Sequence, residues 1–169
     1  GSPKSTTSGK ALLKFYEARA MQELWEKDES AAADQSVINA YRQALKQPSA
    51  LGEKLIEARD GLAQALAIHT EETFAASVEH GQLTRRQMRA EIGEAIEIHT
   101  GLVEHAWFNQ PNTEFAGVLK NLASDYEILA KVKRKGPLKD TPIQEAVRAM
   151  ERAVAAYEAD ADSNAASDA

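Results

Sequence analysis

The chain has 169 residues, no cysteine and a formal net charge of −6. That length allows one domain with a sizeable core, and the lack of cysteine excludes disulfides and thiolate metal sites. No apolar run approaches the ~18 residues needed to cross a bilayer, and no secretory signal is present. We therefore expect a cytoplasmic protein without a membrane partner. Glycine and proline are few, which favours helices.

The N-terminal third predicts a lead-in followed by two helices. Residues 1–9 start with a Gly-Ser pair typical of a cloning scar and continue as a Ser/Thr-rich segment, so we expect them to be disordered. Apolar residues at helical spacing indicate one helix over residues 10–27 and a shorter one that ends at Pro48.

A long helical hairpin over residues 51–108 forms the centre of the predicted fold. Its first arm, residues 51–80, is apolar around much of its circumference, which is typical of a helix covered by several neighbours. Gly81 can end this arm, and Thr84 with Gln87 forms a capping box for the second arm. The second arm carries one stripe with alternating spacings of four and three: Met88, Ile92, Ala95, His99, Leu102 and Ala106.

Two further helices follow the hairpin. Thr113 can cap the first of them, and Thr141-Pro142-Ile143-Gln144 is a strong start signal for the second. That last helix carries large apolar residues at helical spacing: Ile143, Val147, Met150, Val154 and Tyr157. Residues 160–169 are small and acidic, so we expect a disordered acidic tail.

Short connections between successive helices favour antiparallel neighbours. The sequence therefore predicts an all-α fold, an up-down antiparallel helical bundle of about six helices, with a single domain over residues 10–159. In this topology the turn at residues 81–83 and the linker at 134–141 lie at the same end.

The predicted topology gathers basic residues at that end. We call the following set the basic end: Arg85, Arg86, Arg89, Lys131, Lys133, Arg134, Lys135 and Lys139. Cations are favourable at a helix C-terminus, but at a helix N-terminus Arg85 and Arg86 cost roughly 0.3–1 kcal/mol each. Either a binding partner requires them there, or they are solvated surface neutralised by neighbours such as Glu91.

We interpret the chain as a non-catalytic helical interaction module, an adaptor or assembly subunit, that docks an acidic protein partner through the basic end. The alternative is a small helical subunit that binds nucleic acid through the same residues. The sequence pI of about 5.3 and the lack of a nucleic-acid motif rank a protein partner first.

A metal-binding bundle is a third interpretation, with His69, Glu72 and His99 as candidate ligands. Two imidazoles and one carboxylate can hold zinc. The Glu-x-x-His motif of di-iron bundles is missing, however, and we predict neither a metal nor a cofactor. A simpler expectation is a neutral, buried His99 bonded to a carboxylate or a Thr hydroxyl, in which case acidification below about pH 6 would destabilise the fold.

Catalysis and self-association have weaker support. Glu91, Glu94 and Glu97 recur every third residue, so we expect a solvated helix face and not a catalytic pair. No nucleophile elbow or phosphate-binding loop occurs. Three large rings near helix ends are either core residues or a homodimer patch: Trp25, Trp107 and Phe108.

Overall fold

The computed structural model of the chain describes residues 3–27, 35–80, 85–105, 113–133 and 140–168. Within these ranges the chain forms six long helices and one single-turn helix, α3, and contains no strand. The helices are α1 (Pro3–Lys27), α2 (Gln35–Leu45), α3 (Pro48–Leu51), α4 (Leu55–His80), α5 (Arg85–Glu104), α6 (Thr113–Val132) and α7 (Asp140–Asp168), with a 3-10 turn over Gly52–Lys54. None of these described helices combines the length and apolarity that a bilayer-spanning segment needs.

The long helices pack in chain order: α1 on α2, α2 on α4, α4 on α5, α5 on α6, and α6 on α7. Helix α4 also contacts α1 and α6, so it occupies the middle of the array. These contacts confirm the predicted all-α antiparallel bundle and its central hairpin, now formed by α4 and α5. The wide apolar circumference of the first hairpin arm is explained, because α4 has neighbours on several sides.

The core consists of two clusters of buried side chains. The larger joins α1, α2, α4 and α5 with the end of α6, and includes Phe15, Ile38 and Leu66. The smaller joins the end of α5 to α6 and α7, and includes Leu102 and Leu119. Full burial of each large apolar side chain stabilises the fold by about 1.5–3 kcal/mol.

Helices α1 and α7 are longer than the sequence predicts. Helix α1 begins at Pro3 and not near Lys10, and α7 continues to Asp168, through the segment predicted to be a disordered tail. A proline fits the first position of a helix without loss of a hydrogen bond. The last segment is rich in alanine, the best helix former, so local propensity outweighs the acidic, low-hydropathy composition there.

Helix α7 is rotated relative to the orientation that its large apolar residues suggest. The side chains buried on its inner face are alanines: Ala146, Ala149, Ala153 and Ala156. The row of larger residues from Ile143 to Tyr157 faces outward. Helix α7 is the last of the array and packs mainly on α6, so one face suffices to attach it.

A close contact between Gly61 and Tyr41 joins α4 to α2. A Cβ on Gly61 would lie 2.5–2.6 Å from three atoms of the Tyr41 side chain, closer than real Cβ contacts occur. The Tyr41 ring is buried, and its hydroxyl donates a hydrogen bond to the buried side-chain oxygen of Gln22 on α1. Gly61 is therefore a packing requirement inside α4, where glycine otherwise weakens a helix.

We predict that Gly61→Ala destabilises the protein, although alanine is favoured over glycine in a helix by up to ~1 kcal/mol. Overpacking a well-filled core typically costs about 1–3 kcal/mol, which exceeds that gain. Urea unfolding monitored by circular dichroism measures the change in the free energy of unfolding.

The matched control is Gly93→Ala in α5, where nothing lies within 4 Å of the added Cβ. This variant should be as stable as the parent protein or more so. Equal stabilisation by both substitutions would show that Tyr41 does not occupy the space beside Gly61.

Candidate functional site

Arg85, one of the residues predicted for the basic end, joins α5 to α6. The Arg85 Nη1 donates a hydrogen bond of 3.0 Å to the backbone oxygen of Val132, in the last turn of α6. The Arg85 guanidinium also lies 5.9 Å from the centre of the Phe74 ring on α4. The start of α5 and the end of α6 therefore lie side by side, near the C-terminal part of α4.

The other predicted members of the basic end differ in how they are engaged. The Lys131 Nζ lies 2.7 Å from Glu71 Oε1 in an exposed ion pair. Arg86 and Arg89 are exposed, and Lys133 is half-buried. The remaining three predicted residues lie outside the described part of the chain: Arg134, Lys135 and Lys139.

Two arginines stand at the N-terminus of α5, Arg85 and Arg86. The first turn of α5 contains no acidic residue, so Arg85 and Arg86 add to the positive end of the helix dipole. Arg85 offsets its cost by donating to an α6 carbonyl that has no partner within its own helix. Arg86 and Arg89 form no hydrogen bond or ion pair with any described residue.

The candidate metal ligands do not form a common site. The His69 Nδ1 lies 2.8 Å from both carboxylate oxygens of Glu91, on α5. The hydroxyl of the adjacent Thr70 lies 3.1 Å from Glu91 Oε2 as well as 2.8 Å from the Leu66 carbonyl oxygen. His69 therefore faces Glu91 across the hairpin and not His99, and Glu72 is not part of that pair.

His99 is held between two carboxylates in the centre of the bundle. Its Nδ1 lies 2.5 Å from Asp125 Oδ2 on α6, and its Nε2 lies 2.9 Å from Asp60 Oδ1 on α4. His99 is 0% exposed and Asp125 is 1% exposed. Both ring nitrogens are engaged, which leaves neither free for a metal, and the described residues contain no group of three or more metal-type ligands.

The carboxylate of Asp60 extends this network toward the surface. Gln64 donates a 2.7 Å hydrogen bond to Asp60 Oδ2, and Asn121 donates one of 3.3 Å to Oδ1. The Asp60 side chain is 24% exposed and lines an open groove of about 300 Å³ between α1, α2 and α4. Four side chains from α4, α5 and α6 are thus linked to the Asp60 carboxylate. Gln64, Asn121 and His99 contact it directly, and Asp125 is connected to it through His99.

The protonation state of His99 differs from the sequence prediction. Burial by itself lowers the pKa of His99, but the hydrogen bonds to Asp125 and Asp60, together with their charges, raise it to about 9. Burial raises the pKa of Asp125 to about 6, against the lowering effect of His99. At neutral pH the centre of the bundle therefore holds an imidazolium between two carboxylates.

The predicted carboxylate bond to His99 is thus present, but the predictions of a neutral ring and of acid destabilisation through that ring are wrong. They assumed that burial decides the charge of His99. Two carboxylates within hydrogen-bond distance outweigh the desolvation of the imidazolium.

Catalysis by His99 would require a free ring nitrogen. A histidine acts as a general base when one nitrogen faces a nucleophile or a water and the other is oriented by a carboxylate. Here carboxylates occupy both sides of the ring, so the arrangement is that of a structural ion pair. Of the three glutamates spaced every third residue, Glu91 engages His69 and Glu94 pairs with Arg42 at 2.7 Å, so they form no facing catalytic pair.

Sequence reasoning missed Asp60 and Asp125 as partners of His99. A signal for both is present in the apolar pattern. Asp125 follows Leu122 by three residues on an apolar stripe of α6, and Asp60 stands between Ile56 and Ala63 on one of α4. A carboxylate on an apolar stripe predicts a buried charge that needs a cationic partner.

The large rings considered for self-association are only partly described. Trp25 is 8% exposed and belongs to the buried core, as one of the two interpretations expects. Trp107 and Phe108 lie outside the described residues. Trp25 therefore offers little surface to a second copy.

We predict that the free energy of unfolding falls as the pH rises through about 9. Because the pKa of His99 is raised from 6.5 to about 9, its stabilising contribution is fully present below pH 6.5 and is lost above pH 9. The shift corresponds to roughly 3 kcal/mol. Urea unfolding between pH 7 and 9.5 measures it, in a range where Asp125 is already ionised.

A His99→Gln/Asp125→Asn variant, measured in parallel, removes this contribution together with the buried carboxyl group, whose pKa would rise without the imidazolium. Its stability should change less with pH than that of the parent protein. A parent protein whose stability does not fall between pH 7 and 9.5 would contradict a protonated His99, because a neutral, buried His99 changes the stability only below about pH 7.

We also predict that Asp125→Asn destabilises the protein more than Asp60→Asn. Removing one partner of a buried ion pair typically costs 3–5 kcal/mol, because the other charge is left unpaired. Asp60 is partly solvated, so water compensates for part of the stabilisation that its carboxylate gives to His99. Equal losses of unfolding free energy in the two variants would contradict the burial difference between the two carboxylates.

No protein-family model, curated protein or solved structure matches this chain. Neither a family nor an activity can therefore be transferred from a relative. The geometry and charge of the described residues are the basis for a functional assignment.

Proposed function

We propose that the chain is a non-catalytic helical interaction module that docks an acidic protein partner through its basic end. The observation that carries this proposal is the hydrogen bond from Arg85 to the Val132 carbonyl. It places the start of α5 beside the end of α6, so basic residues distant in sequence share one end of the bundle.

The residues available to a partner are fewer than the sequence suggests. Arg85 is engaged with α6 and Phe74, and Lys131 is paired with Glu71. Arg86 and Arg89 are exposed on the first turns of α5 and are unpaired within the described residues. They are therefore the central members of the proposed docking surface, which also includes the half-buried Lys133, the residue after Val132.

A non-catalytic role is supported by how the buried charged groups are used. His99 is enclosed by Asp60 and Asp125, and His69 faces Glu91. In the described part of the chain no buried side-chain nitrogen or oxygen lacks a hydrogen-bond partner. Strongly shifted pKa values mark active sites, but structural ion pairs shift them as well, and the closed geometry favours the latter here.

The charge-reversal variant Arg86→Glu/Arg89→Glu tests this proposal. The immobilised variant should retain at least tenfold less acidic protein from cell lysate than the parent chain, because complementary charge steers and holds such a partner. Quantitative mass spectrometry of the retained proteins is the measurement.

The matched control is Arg59→Glu/Lys120→Glu. It reverses the charge of two exposed residues in the N-terminal halves of α4 and α6, away from the basic end. Identical retained proteins for the parent and both variants would refute the proposal. Retention abolished by nuclease, with affinity for DNA or RNA that falls linearly with salt on a log–log scale, would favour nucleic-acid binding instead.

A further inference from the structure

Helix α7 exposes a continuous row of large apolar side chains. The row contains five residues, each between 40% and 52% exposed: Ile143, Val147, Met150, Val154 and Tyr157. Their spacings are four, three, four and three residues. This alternation keeps all five on one face and is the pattern of a helix that packs along a second helix.

The row is long enough to receive a whole helix. From Ile143 to Tyr157 it covers four turns, or roughly 21 Å at 1.5 Å per residue. Single exposed apolar residues are normal, whereas a contiguous apolar patch marks an interaction site. Helix α7 buries its alanines on α6, so the helices that the structure describes leave this second apolar face exposed.

A groove of about 450 Å³ runs beside this row, between α7 and α6. Its apolar lining comes from α7 and includes Val147, Met150 and Val154. Glu127 of α6 and Glu151 of α7 are the charged residues at its lining. The groove thus combines apolar contacts for one face of a ligand with carboxylates at its borders.

The border of the apolar row is acidic on both sides. Glu127 borders the row on the side of α6, and Glu151 and Glu158 border it on the other side, along α7. All three are exposed, and none is ion-paired to a residue that the structure describes. The nearby cation Arg148, three residues before Glu151, is paired with Glu145: its Nη1 lies 2.6 Å from the Glu145 Oε1.

We propose that this face of α7 binds a basic amphipathic helix of another protein. The apolar residues of that helix would pack between Val147, Met150 and Val154. Lysine or arginine residues flanking its apolar stripe would pair with Glu127, Glu151 and Glu158. The charge of the border selects the partner, because the apolar row alone accepts any amphipathic helix.

A second copy of this chain does not fit the same face. In a two-fold symmetric pair the same surface faces itself, so the acidic borders would meet each other. Like charges beside a helical seam are unfavourable. The partner proposed here is also opposite in charge to the acidic partner of the basic end, so the inference goes beyond the function proposed above.

Synthetic peptides of about 18 residues test the proposal. The probe carries leucines at alternating spacings of four and three, flanked by lysines and arginines. A second peptide has glutamates in place of the basic residues, and a third has the basic composition with scrambled leucines. Fluorescence anisotropy should show that the basic amphipathic peptide binds at least tenfold more tightly than either of the others.

Variants of the chain then locate the site. Val147→Gln/Met150→Gln should weaken binding of the basic peptide at least tenfold, whereas the control Leu13→Gln/Leu24→Gln, on exposed residues of α1, should not. The Glu127→Lys/Glu151→Lys variant should shift the preference toward the acidic peptide. Circular dichroism melting verifies that each variant is folded, which is expected because all six positions are exposed.

Three results would overturn the inference. The first is equal binding of the basic and acidic peptides, and the second is the lack of binding by any peptide. The third is a dimer in analytical ultracentrifugation that Val147→Gln/Met150→Gln abolishes, since the face would then belong to a second copy. The peptides are also measured against Arg86→Glu/Arg89→Glu, so that binding of the acidic peptide to the basic end is distinguished from binding to α7.

Discussion

A protonated histidine between two carboxylates, deep in the bundle, constrains the rest of the structure. Removing the charges of His99 and Asp125 from water costs several kcal/mol per ion, and their mutual pairing together with the partly solvated Asp60 offsets this cost. His99, Asp60 and Asp125 pair in this way only when α4, α5 and α6 are at one rotation and one axial register. Apolar packing tolerates small slips of one helix along another, whereas a 2.9 Å hydrogen bond does not. The network therefore specifies how the central hairpin meets α6.

The same network explains why the two surfaces proposed for binding lie outside the core. Inside the bundle the charged groups bind one another: His99 binds Asp60 and Asp125, and His69 binds Glu91. The groups that remain available are on the periphery, at the start of α5 and along the outer face of α7. These two regions carry opposite charge, so the two proposed surfaces would select different partners.

The sequence predicts the helices and their order well, because apolar spacing and capping residues are local signals. The hairpin, the burial of His99 and the position of the start of α5 beside the end of α6 follow from such signals. The partners of His99 do not, since Asp60 and Asp125 are 39 and 26 residues away from it in the chain. Which face of one helix meets which face of another depends on packing between helices, and spacing within one helix does not determine it. The protonation of His99 was mispredicted for the same reason.

The orientation of α7 shows a further limit of periodicity. This helix carries two apolar stripes, one of alanines and one of large residues, and hydrophobicity alone would place the larger stripe inside. The alanines pack against α6 instead, and small side chains allow two helices to approach closely.

The attachment of α7 to the bundle through one face also affects its motion. The larger core cluster contains no residue of α7, so the remainder of the bundle keeps its main core when α7 opens. Local opening of a terminal segment of this kind is a separate equilibrium from global unfolding. Any ligand that covers the outer face of the closed helix draws that equilibrium toward closure by mass action. Hydrogen exchange of the α7 amides therefore slows when a ligand occupies the outer face, even at amides that the ligand does not contact.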